Sequence, residues 1–446
     1  MKKIDMLMAY PKPTQDSPVR LTPLSILYPG AMFEAQGKTV TYFDERFDPL
    51  EMFDDLVRDS HEIGVSSFTG FQTGQAARML KRARELNPGI VTGVGGHHAR
   101  ILTDQVQAEP FVDKVWPERI YGEDLFPFNE KTKVHFVRTE MQYFTSQGCP
   151  FPCTFCALVS PWKPKDIQEL DRELKTIHAE TGFKEISFSD PNIGFGVWKD
   201  GEGKTQRMDR VKRIKDIGSI MCDLDVRWDS NIRSPYLTPE MVDALAESNC
   251  YSLEVGCESG DDYFLRKVIK KGHGLKPIKE AAVNVRGSGI SIMYSFIGFM
   301  PRETPEMRLR TFDLIDWITE TDRDARVSIY HFAPYPGSPM YDDAINGVGG
   351  FPKFDPPTTM EGWGELRLMN SPLYWIAGLN FRKDNTRKNF PGEEWKKIEP
   401  YVKLAEDKWR KREMEDFPCG EVEALISAQV EKHCSQSGQM LVDTQV

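Results

Sequence analysis

The chain alternates strand-like and helix-like runs twice over, and this confines it to parallel-sheet architectures. In the first 110 or so residues, "KIDMLMAY", "KTVTYFDERF", "EIGVSSFTG" and "IVTGVGGHHA" read as strands. Between them, "TPLSILYPGAMFEAQ" suits a helix with a Pro-Gly interruption and "LEMFDDLVRDS" a second helix. "GQAARMLKRARELNPG" reads as a third, with Ala77, Leu80 and Ala83 on one face and a Pro-Gly stop. Strands joined by helices run parallel and are covered on both faces. After residue 140 the alternation restarts with "EMQYFTSQ", "EISFSDPN", "DLDVRWDSN", "SLEVGCESG", "ISIMYSFIGFM" and "ARVSIYHFAPY". Helical runs such as "DIQELDRELKTIHAETG" and "TPEMVDALAESNC" lie between these strands. Six β/α units predict a partial parallel barrel, whose chemistry gathers at the carboxyl ends of its strands. Those ends are polar or Gly-rich here: Ser189-Asp190, Asn231, Glu258-Ser259 and Pro334-Tyr335-Pro336-Gly337.

From about residue 346 the pattern loosens. "GVGGFPKFDPPTTMEGWG" reads as a connector, and "MNSPLYWIAGLNFRKD" and "EEWKKIEPYVKLAEDKWRKREMED" as helices before a weakly ordered tail. The expected class is α/β. A doubly wound domain over residues 1–130 precedes a partial (β/α)6 barrel over 131–345 and a small, mostly helical region over 346–446. A length of 446 residues suits two to four domains of roughly 100–200 residues. No apolar run of membrane-spanning length occurs, and "MKKIDMLMAYPKP" lacks the apolar core of a leader. The formal charge of −10 argues against nonspecific nucleic-acid binding. Eight mostly scattered cysteines in a chain this long suggest a reducing cytoplasm rather than a disulfide framework. A monomer is expected.

"TSQGCPFPCTFCALVSPW", residues 145–162, breaks the scatter with Cys149, Cys153 and Cys156 spaced C-x3-C-x2-C. Structural zinc closes four positions, usually from two C-x2-C halves, and no second half follows. A redox pair would need only Cys153 and Cys156 and leaves Cys149 unexplained. Three thiolates on one [4Fe–4S] cube leave one iron open to a ligand that brings its own donors. Zinc or purely structural cysteines remain the alternatives.

This triplet at the end of a first barrel strand, with Phe155 before the last cysteine, resembles the radical S-adenosylmethionine (SAM) superfamily. That resemblance implies that SAM occupies the open iron and that an electron from the cluster cleaves it to a 5′-deoxyadenosyl radical. "SLEVGCESGDDYFLRKVIKKG" resembles the family's fourth-strand segment and implies that Glu258 and Ser259 contact SAM. "FSDPNIG" occupies the second-strand end, with Asp190 and Asn192 in place of the more usual Gly-Gly-Glu. "WDSNIRS" implies Asn231 and Arg233 near the ribose or carboxylate. "SFIGFMPRET" and "FAPYPGSPMYD" resemble the fifth- and sixth-strand segments.

The first domain resembles the cobalamin-binding, flavodoxin-like (Rossmann-type) domain found ahead of many radical SAM domains. The resemblance implies cofactor contacts from Gly93, Gly95 and Gly96, from Ser66 and Ser67, and from the loop Phe68, Thr69, Phe71 and Gln72. "AYPKPTQDSPVRL" lacks the histidine that usually meets cobalt, so no lower axial ligand is assigned, and His97 and His98 are not taken as one. Taken together, these resemblances imply a C-methyltransferase. It would use the deoxyadenosyl radical and methylcobalamin on an unactivated sp3 carbon, with a ferredoxin or flavodoxin as electron donor. The closest type expected is the one that methylates a glutamine of methyl-coenzyme M reductase. Tyr330 and His331 are the candidate catalytic side chains, and Tyr335, Trp363, Tyr374 and Trp375 the candidate substrate contacts. A non-methylating ring cyclase and a noncatalytic cobalamin or iron–sulfur carrier are the alternatives.

Overall fold

Five strands build the amino-terminal sheet: β1 (Ile4–Tyr10), β2 (Val40–Asp44), β3 (Ser60–Ser66), β4 (Val91–Gly95) and β5 (Lys114–Trp116). All pair in parallel, in the order β2-β1-β3-β4-β5. This is the flavodoxin-like order, which places ligands at the carboxyl edge where the order reverses. Four of these strands follow the hydrophobic runs read from the sequence. The fifth was not read because three residues are too few to show a period. In the computed structural model, residues 3–14, 21–118, 125–298, 300–350, 353–366 and 373–376 are described.

Helix α1 (Leu24–Ala35) is continuous and carries Pro29 inside it, so the Pro-Gly pair does not interrupt it as expected. Helices α2 (Leu50–Arg58) and α3 (Phe71–Leu86) lie where the periodicity placed them. Leu7, Phe43, Phe53, Val57, Ile63, Ala77, Leu80, Ala83 and Val94 form a fully buried core between strands and helices. Each large apolar side chain in it contributes about 1.5–3 kcal/mol by leaving water. The short α4 (His97–Ile101) turns away immediately after β4.

The second sheet has six parallel strands: β6 (Gln142–Tyr143), β9 (Glu185–Phe188), β12 (Arg227–Ile232), β13 (Cys250–Glu258), β14 (Ser291–Gly298) and β15 (Arg326–His331). Two hairpins stand outside it, β7 (Ser146–Cys149) with β8 (Ser160–Pro164), and β10 (Val197–Lys199) with β11 (Thr205–Arg207). Only Gln142 and Tyr143 of the first strand-like run therefore join the sheet, and the cysteine stretch opens from the first hairpin. The helices Ile167–Thr181, Arg210–Asp223, Pro239–Ala246, Leu275–Val285 and Pro305–Thr321 alternate with the strands. Asp166, Asp209, Thr238 and Thr304 cap four of them through their side chains, each worth about 1 kcal/mol.

Two expectations for the carboxyl-terminal region are corrected. Leu373–Ile376, read as helix, is β16, antiparallel to β15. The β-branched and aromatic run finds its hydrogen bonds on an open sheet edge rather than within itself. Met360–Glu365, read as connector, is a helical turn capped by Thr359. The expected helix "EEWKKIEPYVKLAEDKWRKREMED" and the tail lie outside the described residues. All described residues belong to one compact unit, residues 1–377. Among them no helix is long and apolar enough to cross a membrane, and the six described cysteines carry no disulfide.

Candidate functional site

The cysteine loop is shaped by its own hairpin. Gly148 sits at φ +79°, and a Cβ there would stand 2.0 Å from the Pro161 carbonyl oxygen, so only glycine lets the strands close before Cys149. Thr154, between the second and third cysteines, anchors the loop to the barrel. Its amide donates to the Ile269 carbonyl at 3.0 Å and its hydroxyl to that of Val268 at 3.1 Å. Its own carbonyl accepts from Met340 N–H at 2.9 Å. The wide turn Phe264–Val268 ends where these two carbonyls meet Thr154.

Cys153 is buried, while Cys149 and Cys156 are half-exposed. Burial, with Cys153 and Cys149 close by, pushes the Cys156 thiol up. The Leu158 amide donates to Cys156 Sγ at 3.3 Å, and Arg233 Nη1 donates to Cys153 Sγ at 3.7 Å. Among the described residues no three His, Cys, Asp or Glu side chains stand close enough to hold an ion as placed. By donor chemistry alone, three thiols on one loop with hydrogen-bond donors aimed at two of them suit a cluster held by three protein thiolates.

A buried chain of charge runs beside the loop. The Arg233 guanidinium lies 3.7 Å from the Phe151 ring centre and donates through Nη2 to the Lys271 carbonyl. Lys271 Nζ donates to Glu258 Oε1 at 2.5 Å, with both side chains under 10% exposed. It also sits 5.8 Å from the Phe155 ring centre. Glu258 is reached through a bulge: the β13–β14 register slips between Gly256 and Glu258, and Glu258 takes φ +66°. A non-glycine residue held in the left-handed region is costly and clusters at functional sites.

Asn192 Oδ1 accepts the Arg233 amide at 3.2 Å, while its buried Nδ2 has no partner. Asn231 Nδ2 donates to the Asp190 carbonyl at 3.2 Å. Asp190, expected to contact SAM, directs its carboxylate at the hairpin. Its carboxylate is fully buried and accepts from Thr145 N and Oγ1, both at 2.7 Å, and from Ser146 Oγ. It holds the entry to the cysteine hairpin. Burial pushes its carboxyl up despite those bonds. The buried Ser259 hydroxyl accepts the Asp261 amide at 3.2 Å and lies by Thr311.

On the amino-terminal side a cavity of about 350 Å³ joins the two halves of this unit. It is lined by Ser66, Gly95, Gly96, His97 and Trp116 from the first sheet and by Phe144, Gln147, Gly148 and Leu158 from the cysteine side. A Cβ on Gly95 would meet nothing nearer than 3.9 Å, whereas one on Gly96, at φ +93°, would stand 2.6 Å from the Ser67 carbonyl oxygen. The Ser66 hydroxyl donates to Ser25 Oγ at 2.9 Å. Phe68 is 46% exposed at the same edge, 5.3 Å from His97 and 6.1 Å from Tyr335 between ring centres.

The remaining expected cobalamin contacts lie deeper in the domain. Ser67 Oγ is engaged with Thr73 at 3.0 Å, Thr69 with His98 Nδ1 at 3.0 Å, and Gln72 Nε2 donates to the Pro11 carbonyl at 2.8 Å; all three are buried. Gly93 is covered by the Trp116 ring. Phe71 is half-buried at the first turn of α3.

Tyr330 is half-buried near the carboxyl end of β15, and His331 is its last residue. Burial pushes the Tyr335 hydroxyl up to about 12. Trp363, an expected substrate contact, is packed inside the fold. It is 1% exposed, donates Nε1 to Gln105 Oε1 at 2.9 Å and stacks edge-on to His98. Tyr374 and Trp375 pair through their backbones with Ser328 and Val327, and their side chains lie outside the described residues. Lys271, Thr154 and Trp116 were not singled out from the sequence. Lys271 stood in the quoted "IKKG" run and was the legible one.

Residues 143–315 match the Radical SAM superfamily. The chain's curated relatives include the bacteriochlorophyllide d C-12(1)-methyltransferase of Chlorobaculum tepidum, 23% identical over 418 residues, which span 78% of this chain and 87% of that one. Another is an uncharacterised methyltransferase of Pyrococcus horikoshii, 29% identical over 208 residues, 45% of this chain and 41% of the relative. The chain thus spans about two fifths of that second relative's length. The radical SAM methyltransferase TsrM from Kitasatospora setae, solved with cobalamin and a [4Fe-4S] cluster, superposes with a TM-score of 0.60 at 15% identity, over 80% of this chain and 84% of that one. The cobalamin-dependent radical enzyme OxsB, solved with aqua-cobalamin and SAM, gives 0.62 at 12% identity over 97% and 75%. These two are likenesses of fold.

Proposed function

We propose that this chain is a cobalamin-dependent radical SAM C-methyltransferase. The observation that carries the reading is the cavity that runs from Ser66, Gly95 and Gly96 to Gly148, the residue before Cys149. It connects the edge where a 2-1-3-4-5 sheet binds its ligand to the thiol loop. When bound there, the [4Fe–4S] cluster, SAM and cobalamin would together supply a carbon-centred radical and a methyl donor.

The chain's own residues hold and shield. Cys149, Cys153 and Cys156 would hold the cluster, and Arg233 places positive charge beside the buried Cys153 sulfur. Asn192 Nδ2, Glu258 and Lys271 offer donors and an acceptor to the amino acid or ribose part of SAM. Phe68, His97 and Tyr335 close the edge between the sheet and the barrel with aromatic surface, which excludes water from a reactive radical. A ferredoxin or flavodoxin would supply the electron.

The substrate class supported best is a small molecule with an unactivated carbon. The Chlorobaculum relative is a bacteriochlorophyllide methyltransferase, and TsrM has also been solved with tryptophan as substrate. A protein side chain such as glutamine is the second class. Reconstituted protein under oxygen-free, reducing conditions should form 5′-deoxyadenosine from SAM, and S-adenosylhomocysteine in step with methylated product. A non-methylating cyclase, the activity named in a 21% identical relative from Rubrivivax gelatinosus, forms no S-adenosylhomocysteine in step with its product. Parallel assays with tetrapyrrole, amino acid and glutamine-peptide substrates assign the class. Formation of 5′-deoxyadenosine without methylation of any of them, and no retained corrinoid, would sink the reading.

A further inference from the structure

The β10–β11 hairpin stands outside both parallel sheets, yet a row of rings ties it to the cysteine loop. Trp198 of β10 meets Trp162 of β8 edge-on, with ring centres 6.0 Å apart. Trp162 lies 5.5 Å from Phe195, and Phe195 lies 5.4 Å from Phe151. Phe151 sits between Cys149 and Cys153, under the Arg233 guanidinium that donates to Cys153 Sγ. Trp162 is buried, whereas Trp198 is half-buried and brings the row to the surface.

The surface it reaches is basic, in a chain of formal charge −10. Lys199, Lys204, Arg207 and Arg210 are all exposed, and among the described residues none of them joins an ion pair. Lys199 pairs with Thr205 and Arg207 with Val197, so both cations share the hairpin face turned away from Trp198. The neighbouring acids do not offset them. Asp200 turns its carboxylate onto its own turn, accepting the Glu202 and Lys204 amides and Gln206 Nε2. Asp209 accepts the Lys212 amide at the start of the next helix. Only Glu202 is left exposed at the tip. We propose that this hairpin is the landing surface of the reductant: an acidic one-electron carrier protein seats on Lys199 and Arg207, and one electron passes from the reduced carrier to the oxidised cluster. This rests on the radical SAM reading above. Electron-transfer encounters are small, under about 1,200 Å², so a two-stranded hairpin is wide enough to serve one. Unpaired surface charge of one sign speeds such encounters by steering.

The test uses the full-length protein with its cluster reconstituted, flavodoxin as the acidic carrier and dithionite as the small reductant. Two quantities are read: binding of fluorescently labelled flavodoxin, and the rate of cluster bleaching by each reductant. Lys199→Glu with Arg207→Glu should weaken flavodoxin binding and slow its reduction of the cluster about tenfold at low salt. In about 1 M salt, where charges are screened beyond about 3 Å, the difference should vanish. Bleaching by dithionite should not change. Lys199→Gln with Arg207→Gln should fall between, which guards against misfolding of the reversed variant. Wild-type binding and rates in both variants, or equal slowing with both reductants, overturn the docking assignment alone. So does loss of binding to a single-stranded RNA oligonucleotide in the reversed variant with flavodoxin unaffected, which gives the hairpin to nucleic acid. A wild-type protein that takes up no cluster overturns the radical SAM reading together with it.

Discussion

Glu258 and Lys271 form a buried ion pair, Oε1 to Nζ 2.5 Å, in space that only Gly256 leaves open. A Cβ at residue 256 would stand 2.4 Å from Glu258 Oε1 and 2.9 Å from Lys271 Nζ. Removing one partner strands the other charge in the interior, which costs about 3–5 kcal/mol. Lys271→Met should therefore lower unfolding free energy by that order. Glu258→Gln with Lys271→Met should recover part of it, because neither charge is left unpaired. Chemical denaturation checks both. If the pair also receives SAM, folded Lys271→Met should keep its iron yet lose 5′-deoxyadenosine formation.

Asp190 and Asn192 stand two residues apart with opposite expected behaviour. Asp190→Asn weakens charge-assisted bonds to Thr145 and Ser146, each worth roughly 1.5–3 kcal/mol. It should lower stability and iron content together. Asn192→Ala removes the unpartnered Nδ2. It should raise the KM for SAM while iron content holds. Iron quantitation beside SAM titration separates the two; a selective SAM defect in Asp190→Asn would reverse the assignment.

Trp363→Phe separates a packing role from substrate contact. The ring keeps its contact with His98 but loses the bond to Gln105 Oε1. A loss of about 1 kcal/mol in stability is expected, with KM for any substrate unchanged. A changed KM would return Trp363 to the site.

Stability should fall on mild acidification. His98, His135 and His273 are buried, and burial first, with neighbouring cations or His97, pulls each down from 6.5 to about 4. The unfolded chain therefore binds protons that the folded chain refuses between these values. The stabilisation is present above about pH 6.5 and is lost progressively as pH falls toward 4. Each histidine contributes on the order of 2–3 kcal/mol across that window. Thermal melts from pH 7 to pH 4.5 should show a falling Tm, with a shallower slope in His98→Asn.

The strand and helix order was largely legible because hydrophobic period is a local property. β5 and β16 were missed for one shared reason. Short edge strands take their hydrogen bonds from a partner far away in the chain, Gly93 to Gly95 for one and Arg326 to Ile329 for the other. The spacing of Cys149, Cys153 and Cys156 and the Gly95-Gly96 pair were legible for the opposite reason, since loop chemistry depends on neighbours in sequence.

By itself, the sequence determined the order of elements and their local features: two runs of β/α alternation, one three-thiol loop and glycines at a strand end. Which side chains face the site was decided only in three dimensions. Asp190, Ser259, Thr69 and Gln72 look available on paper, yet buried polar groups must find partners, and theirs lie within the fold. Lys271 and Trp116 carry no motif of their own. The first matters because Gly256 opens a place for its ion pair, and the second because Gly64 and Gly93 leave the backbone bare beneath it.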